Sequence, residues 1–389
     1  MKSNQNMDLM RFSFYSKPNK IRRDTLPYFK RSSLWLWSVV GLILSSFLLS
    51  GCASATMMSN WPGAVLEDDI AYVAYQAHVY AIQAKNGSEI WRFPQETDNK
   101  ISFYAPPALS PEGDQLVIGG FNHVLYSLNP ENGTEQWRFE ESKYPYIAAA
   151  LITADSIYAP TNGHVLYALD RQGKKRWEFK TGGPIWATPT YNPECDCLYV
   201  ASLDHSIYAL KTSDGTLLWK SERLEGAIAS SPVLSQEGVL YFGTFGNRIH
   251  AYDVENRSDQ WTVSTTQWVW ASPLLTEDQV VFTDLAGNVI SLDPQNGNER
   301  WRFSTAAAIT ATPALQNNLI FVGNEAGQLF ALDLQGNPVW QQPQQFDGKI
   351  LTTVLPAAEN VLVPLVAKEQ LIIAVNQDGG QAWSYQPVK

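Results

Sequence analysis

Residues 166–177 read Leu-Tyr-Ala-Leu-Asp-Arg-Gln-Gly-Lys-Lys-Arg-Trp, and this pattern recurs along the whole chain. An apolar strand is followed by a polar turn with Gly173 and by a second strand that contains Trp177. The pattern occurs eight times, with tryptophans 39 to 46 residues apart: Trp91, Trp137, Trp177, Trp219, Trp261, Trp301, Trp340 and Trp383. A glycine stands four residues before seven of them, and Arg257 takes that place in the fifth copy. The chain is therefore a repeat array.

Each repeat of about 41 residues contains four short runs of β-branched and aromatic residues, separated by Asn, Asp, Gly and Pro. In the repeat that ends with the strand of Trp219, the predicted strands are 185–191, 198–200, 206–210 and 217–220. The second strand of the other copies is predicted at 70–73, 116–118, 239–242, 280–282, 319–322 and 361–363. Eight such units predict an all-β fold, an eight-bladed β-propeller of four-stranded antiparallel blades, in which neighbouring blades bury each other's faces.

The repeated residue types fit this fold. The glycine supplies the left-handed backbone of the turn between the third and fourth strands. The tryptophan buries a large apolar area between blades. A small residue nine or ten positions before each tryptophan leaves room for an indole: Ala81, Ser127, Ala168, Ala209, Ala251, Ser291, Ala331 and Ala374. Because the first and last copies each contain four strand signals, the ring does not require a shared closing blade.

The charge of the chain is divided unevenly. Residues 1–51 contain eight Lys or Arg and two Asp or Glu, which leaves 20 basic and 36 acidic residues in the rest of the chain. Such an acidic body repels phosphate backbones, so nucleic-acid binding is not expected. The surplus carboxylates are read as a solvated surface, with steering of a partner as the alternative.

Residues 1–51 are predicted to be a signal peptide. A basic region up to Arg31 precedes an apolar run over 34–49, which suits a signal segment better than a bilayer span. The sequence Leu49-Ser-Gly-Cys52 resembles the bacterial lipobox, which predicts cleavage before Cys52 and lipidation of its thiol. Residues 52–60 then form a short tether before the propeller at 61–389. An uncleaved membrane anchor is the alternative, and either one places the body outside the cytoplasmic membrane.

Two cysteines and four histidines show no metal-binding spacing. Cys195 and Cys197 lie on either side of Asp196, where a bridge is expected to be strained, and their oxidation state stays open. The histidines occur at or near the turn between the second and third strands: His78, His123, His164 and His205. Neighbouring turns of a propeller are too far apart to share an ion, so we predict solvated turn residues and no metal.

The repeat Tyr-Ala-Leu-Asp…Gly-x-x-x-Trp-x-Phe, as in residues 167–179, resembles that of the PQQ-like, quinoprotein-type propellers with their tryptophan-docking motif. The resemblance covers nearly all of residues 62–385. The architecture is also similar to that of the propeller lipoprotein of the outer-membrane β-barrel assembly machinery. That similarity implies a protein-interaction scaffold in the cell envelope, which faces the periplasm from the outer membrane where the host has one and otherwise lies on the outer face of the cell membrane.

The quinoprotein resemblance also implies a possible enzyme, which the residues do not favour. Quinoprotein alcohol dehydrogenases add cofactor-binding residues to the repeat, and many place two adjacent cysteines over the quinone, whereas Cys195 and Cys197 are not adjacent. The spacings leave no insertion for a cofactor lid, and no catalytic Ser/His/Asp or paired carboxylates stand out. We therefore predict a non-catalytic, monomeric propeller without cofactor. A small-molecule-binding or sensory lipoprotein and a PQQ-dependent dehydrogenase are the alternatives.

Departures from the repeat mark the candidate contact surface for a partner or ligand, because the repeated positions are needed for packing. The fifth copy has His250 in place of tyrosine and Arg257 in place of glycine, and Trp268 and Trp270 follow it. When the copies are aligned on their prolines, Tyr104, Trp186 and Trp270 share one column, predicted to lie at the start of the innermost strand. These aromatic residues either form a contact surface at one channel mouth or pack between blades.

Overall fold

A computed structural model describes residues 61–387 and contains eight separate four-stranded antiparallel sheets in this range. In each sheet the four strands are consecutive in the chain, as predicted for a propeller blade. The first strands of neighbouring blades contact one another, so they are the innermost strands. The part of the chain from 61 to 387 contains no helix that is long and apolar enough to cross a membrane. The predicted signal peptide, Cys52 and tether lie outside the described residues.

The strands of the first four blades have the following bounds. Blade 1 contains β1 (Gly63–Glu67), β2 (Ile70–Tyr75), β3 (His78–Gln83) and β4 (Glu89–Phe93). Blade 2 contains β5 (Ala108–Leu109), β6 (Leu116–Gly119), β7 (Leu125–Leu128) and β8 (Glu135–Phe139). Blade 3 contains β9 (Leu151–Ile152), β10 (Ser156–Pro160), β11 (Val165–Asp170) and β12 (Lys175–Lys180). Blade 4 contains β13 (Thr190–Asn192), β14 (Cys197–Ser202), β15 (Ser206–Lys211) and β16 (Leu217–Lys220).

The other four blades follow the same order. Blade 5 contains β17 (Val233–Leu234), β18 (Val239–Thr244), β19 (Arg248–Asp253) and β20 (Ser258–Ser264). Blade 6 contains β21 (Leu274–Leu275), β22 (Val280–Thr283), β23 (Asn288–Leu292) and β24 (Glu299–Ser304). Blade 7 contains β25 (Ala314–Gln316), β26 (Leu319–Gly323), β27 (Gln328–Leu332) and β28 (Gln344–Gln345). Blade 8 contains β29 (Leu355–Pro356), β30 (Asn360–Pro364), β31 (Ile372–Asn376) and β32 (Gln381–Tyr385).

Most repeat tryptophans pack on the turn of the following blade. A Cβ atom added to Gly215 would lie 2.6 Å from the Trp177 ring, and five other turn glycines are 2.5–2.7 Å from the preceding indole by the same measure. At Gly379 the nearest part of the Trp340 ring is 3.4 Å away. Seven of the eight indoles also donate a hydrogen bond of 2.8–3.0 Å to a carbonyl two or three residues before the glycine position. The predicted role of the glycine is confirmed, since Gly215 has φ +72°. Only a residue without Cβ fits beneath the ring.

The small residue of the repeat makes room for the tryptophan of its own blade. Ala168 lies directly opposite Trp177 in the pairing of β11 with β12, and a bulge follows immediately. The same register occurs in every blade except the seventh. A small side chain opposite the indole lets the ring leave its own sheet and reach the next one.

Ring closure uses the same contact as the other interfaces. Blade 8 and blade 1 share no strand, a point that the sequence left open. The Trp383 indole packs on Gly87 and donates a 3.0 Å hydrogen bond to the carbonyl of Ala84. The Tyr385 hydroxyl donates a hydrogen bond to the carboxylate of Glu89.

Two predicted details of the strands are wrong. The first strand of blade 4 was expected at 185–191 but spans only Thr190–Asn192. Residues 182–184 read Gly-Gly-Pro and Pro189 lacks an N–H, so this stretch forms a connection instead. In blade 7 the outer strand is reduced to Gln344–Gln345, because Pro338 and Pro343 interrupt it. Trp340 lies before that strand, yet its indole still donates to the carbonyl of Gln377 at 2.9 Å.

Replacing Trp177 with alanine tests the docking contact. Trp177 is 9% exposed and packs on both Tyr158 and Gly215. The free energy of unfolding is expected to fall by about 3–5 kcal/mol because a buried aromatic ring is lost. Urea unfolding followed by circular dichroism measures the change. Trp268→Ala, at an exposed tryptophan, is the control and is expected to cost less than about 1 kcal/mol. An equal effect of the two substitutions would contradict the docking role.

Candidate functional site

The ring has two ends, which differ in the connections and turns that they carry. One end carries the connections between blades and the turns between the second and third strands, and we call it the connection end. The opposite end carries the turns from first to second strand and from third to fourth strand, and we call it the turn end. The first strand begins at the connection end, so the aromatic column of the sequence lies there.

Five aromatic side chains meet at the connection end, and we call them the aromatic cap: Trp61, Trp186, Phe245, Trp268 and Trp270. The Trp270 ring lies 5.7 Å from Trp61, 6.0 Å from Trp186 and 5.2 Å from Phe245, measured between ring centroids. Phe245 also stacks on Trp268 at 4.8 Å. Residues from the beginning of blade 1, the connection into blade 4, the second-to-third strand turn of blade 5 and the connection into blade 6 therefore form one cluster.

Local sequence explains how the cap is held at the surface. Side chains alternate along an extended segment, and Val269 points inward while Trp268 and Trp270 point away from the core. Val269 is fully buried against Gly243, where an added Cβ would lie 1.9 Å from the valine side chain. The Trp186 indole donates a 2.7 Å hydrogen bond to Oδ1 of Asn162. Trp268 remains 38% exposed and is available for contact.

Tyr104 belongs to the same end but not to the cap. Its ring packs on Phe121 at 4.9 Å, and burial raises the pKa of its phenol. Phe121 is 40% exposed in the second-to-third strand turn of blade 2. Tyr104, Trp186 and Trp270 all precede the innermost strands and lie in the connections, rather than at the start of those strands as predicted.

His250 is a core residue of blade 5. It is 2% exposed and stacks on Phe242 at 5.0 Å with an interplanar angle of 8°. Its Nδ1 lies 3.0 Å from Oδ1 of Asp259, while Nε2 has no hydrogen-bond partner among the described residues. The hydroxyl of Tyr252, two residues further on the same face of β19, is also buried without a described partner. His250 is therefore not part of the exposed surface.

Arg257 lies at the turn end, opposite to the aromatic cap. It retains the left-handed backbone of the missing glycine, with φ 55°, and its side chain is exposed. With no glycine to receive it, the preceding indole of Trp219 stacks on Tyr252 at 6.0 Å and 29°. Unlike the seven other repeat indoles, that of Trp219 donates no hydrogen bond to a carbonyl of the following turn within residues 61–387. The structure thus separates His250, Arg257 and the pair Trp268 and Trp270, which the sequence grouped together.

The interface between blades 4 and 5 differs from the others at a further position. In several interfaces an aromatic ring two residues after the repeat tryptophan packs edge-on against an aromatic residue of the next blade, as Phe179 does against Tyr208 at 5.5 Å. Ser221 takes that position in blade 4, facing the blade in which His250 replaces tyrosine. Ser221 of blade 4 and His250 and Tyr252 of blade 5 are therefore departures on the two sides of one interface. Burial raises the pKa of Tyr252 to about 12.

The histidines of the turns and the two cysteines of blade 4 take different positions in the structure. His123, His164 and His205 lie in turns with φ between 65° and 74°, whereas His78 is buried in β3. Nδ1 of His78 lies 2.8 Å from the carbonyl oxygen of Pro94, and burial lowers the pKa of its ring. Cys195 and Cys197 are joined in a disulfide at the turn end. Residues 61–387 contain no group of three or more His, Cys, Asp or Glu side chains placed to hold a metal ion.

The turn end is strongly acidic. The eight turns from first to second strand contain no Lys or Arg and the following acidic residues: Asp68, Asp69, Glu112, Asp114, Asp155, Glu194, Asp196, Glu237, Glu277, Asp278 and Glu359. Arg171, from the next turn along blade 3, pairs with Glu112 at 2.9 Å and with Asp114 at 2.6 Å. By contrast, the connections 181–189, 265–273 and 305–313 contain no charged side chain. These three connections therefore differ in charge from the turns at the opposite end, whereas other connections contain carboxylates, among them Glu96, Glu140 and Glu225.

Comparison with known families identifies the family of this chain. The family model described as "Outer membrane protein assembly factor BamB" matches residues 36–185, 203–302 and 285–389. These ranges cover most of the sequence and all eight repeat tryptophans. The chain belongs to the BamB family. A search of curated proteins finds no match to this sequence.

Solved structures agree with the BamB-family fold. BamB from Moraxella catarrhalis superposes with a TM-score of 0.67 at 18% identity, covering 80% of this chain and 94% of that one. The computationally designed Ika8 protein gives 0.68 at 13% identity, with coverage of 84% and 97%. A quinohemoprotein alcohol dehydrogenase from Pseudomonas putida gives 0.67 at 13% identity, with coverage of 84% and 75%. At these identities the likeness shows the propeller fold alone.

This BamB-family chain has a cleft between innermost strands, and the charges of its lining can be compared with those of a quinone cofactor. The cleft has a volume of about 760 Å³ and lies among blades 3 to 5, where Leu151, Tyr191 and Leu234 contribute to its wall. Its lining contains no Lys, Arg or His and one carboxylate, that of Glu194. PQQ carries three carboxylates, and this lining supplies no cation to pair with them. The cleft does not fit that cofactor, and we derive no chemistry from it.

Arg257→Gly tests whether the irregular turn of blade 5 is strained. The substitution removes a side chain from a left-handed position, and we expect the free energy of unfolding to rise by about 0.5 kcal/mol. The reverse change at the equivalent turn, Gly215→Arg, places a Cβ against the Trp177 ring and is expected to cost about 2 kcal/mol or more. Urea midpoints of the two variants measure both effects. A clear loss of stability in Arg257→Gly would show that the arginine makes stabilising contacts of its own.

Proposed function

We propose that this BamB-family propeller is a non-catalytic, lipid-anchored scaffold that binds protein partners in the cell envelope, during the assembly of outer-membrane proteins. The family match along the chain carries this proposal. The structure supports it because the repeated tryptophans and glycines are occupied by contacts between blades. Outside those positions, the exposed aromatic residues of the connection end are available for contact, whereas His250 is buried and Arg257 lies at the other end.

Cross-linking in intact cells tests the scaffold role. A photo-reactive amino acid placed at exposed positions of the full chain is expected to capture envelope proteins that mass spectrometry identifies as components of outer-membrane protein assembly. The same residue at the buried position Phe242 is the control, since it faces the interface between blades 4 and 5. Labelling at several exposed positions that captures no protein partner would contradict the proposal.

Replacing Cys52 tests the lipid anchor. Cys52→Ser removes the thiol that a lipobox would acylate, so the protein is expected to lose its fatty acid and to stay unprocessed or leave the membrane fraction. Metabolic labelling with an alkyne fatty acid, followed by membrane fractionation, measures both. Unchanged labelling in the variant would show that Cys52 is not the acceptor.

Calorimetry separates the scaffold from the dehydrogenase alternative. Titration of the purified protein with PQQ and Ca²⁺ is expected to give no binding heat, because the cleft of blades 3 to 5 offers no cation to the cofactor's carboxylates. Saturable binding with one equivalent of PQQ would overturn the non-catalytic assignment and would call for an assay of alcohol oxidation.

A further inference from the structure

The outer strand of blade 4 lacks the polar residue that other outer strands have at one position. Leu217 lies opposite Leu210 in the pairing of β16 with β15, next to the bulge. In six other blades the residue at this register is charged or an amide: Glu89, Glu135, Lys175, Asp259, Glu299 and Gln381. Leu217 is 44% exposed, and the next residue, Leu218, is 47% exposed. Blade 4 therefore presents two adjacent leucines at the rim of the ring.

An ion pair of the repeat is also missing from blade 4. In blades 1, 2 and 6 the glutamate at this register pairs with an arginine three residues later, at 2.6 Å in each case. Blade 4 has Leu217 and Lys220 at the two positions, and Lys220 pairs with Asp204 at 3.2 Å instead. The outer strand of blade 4 is therefore apolar where the others are charged.

The outer side of β16 is open to another strand. Among the strands that the structure describes, β16 pairs with β15 alone. The free N–H and C=O groups of an edge strand can bind a further extended segment, and proteins usually prevent this with charged residues or proline at the edge. Lys220 is the single charged residue of β16, and Asp204 engages it. An exposed apolar edge of this kind suits strand addition, in which backbone hydrogen bonds bind the segment and side-chain contacts select it.

The rim around β16 is basic, although the body of the protein is acidic. Residues 174–180 of blade 3 and 211–220 of blade 4 contain six Lys or Arg and two Asp or Glu. The two segments are neighbours, because the Trp177 ring of blade 3 packs on Gly215 of blade 4. Cations at the rim attract the carboxylates of a partner and repel its lysines and arginines. The charges therefore select an acidic segment as the occupant.

We propose that the outer edge of blade 4 binds an extended segment of a protein partner as a fifth strand. The segment pairs with β16, packs apolar side chains on Leu217 and Leu218, and directs carboxylates to the basic rim of blades 3 and 4. This inference rests on the scaffold role of the proposed function and specifies the site and the chemistry of one partner. It does not depend on the lipid anchor.

Binding of a model peptide tests the site. The probe is a fluorescein-labelled octapeptide in which valine alternates with threonine and glutamate, and fluorescence anisotropy follows its binding to the purified full chain. We expect saturable binding that weakens as the salt concentration rises, because the cations of the rim are exposed. A peptide with lysine in place of glutamate and a peptide with a central proline are each expected to bind at least about tenfold more weakly.

A double variant tests the two leucines. Leu217→Glu with Leu218→Gln gives blade 4 the Glu-Gln-Trp sequence that blade 2 has at 135–137, so the fold is expected to be retained. Binding of the glutamate peptide is expected to fall at least about tenfold. The matched control is Ile90→Gln in blade 1, where Ile90 is 43% exposed but follows Glu89. This control is expected to leave binding unchanged, and urea unfolding verifies that both variants are folded.

The other outcomes contradict the proposal in different ways. Equal binding by the double variant would show that the peptide lies elsewhere, equal binding of the proline peptide would exclude strand pairing, and equal binding of the lysine peptide would exclude an acidic partner. A dimer of the unmodified chain that the double variant abolishes would assign the edge to a second copy. In intact cells, a photo-reactive residue at 218 that captures no protein, while other exposed positions do, would reject this site and leave the scaffold role. No capture at any exposed position would reject both.

Discussion

The indole that reaches from one blade onto the left-handed turn of the next is the interaction on which the rest of the ring depends. At six of the eight interfaces it combines a small residue opposite the tryptophan, a bulge that lets the ring leave its sheet, and a glycine that leaves space beneath it. None of these stabilises a blade by itself, because the donor and the receiving turn lie in different sheets. The stability of a blade is therefore largely a property of its two interfaces.

The interface between blades 4 and 5 shows how the constraint adapts when one part changes. Arg257 occupies the glycine position, and the Trp219 ring stacks instead on Tyr252, where five other copies have leucine. Ser221 and His250 replace an aromatic pair of the same interface. The change at Tyr252 is therefore explained by its contact with the displaced Trp219 ring.

The fold was predictable because its signal is repeated eight times and each copy tests the others. Strand ends were less predictable: Pro189 and the Gly-Gly-Pro at 182–184 prevent a strand that the apolar pattern around Ile185 favours. The site was harder still. Trp186 and Trp270 share a column that alignment reveals, but Phe245 and Trp61 join them only through the curvature of the ring, and a departure from the repeat does not show whether a residue is buried, as His250 is.

Blades 1 and 8 each keep all four of their own strands, and the seam between them is closed by Trp383 and Gly87, the same pair of residue types as at six other interfaces. The seam thus has no special role in the ring, and the chain termini mark one of eight geometrically similar gaps. In such a ring the location of the termini is independent of the fold and decides which blade follows the segment that precedes the propeller. A circularly permuted chain would keep the same ring of blades and would join that segment to a different blade.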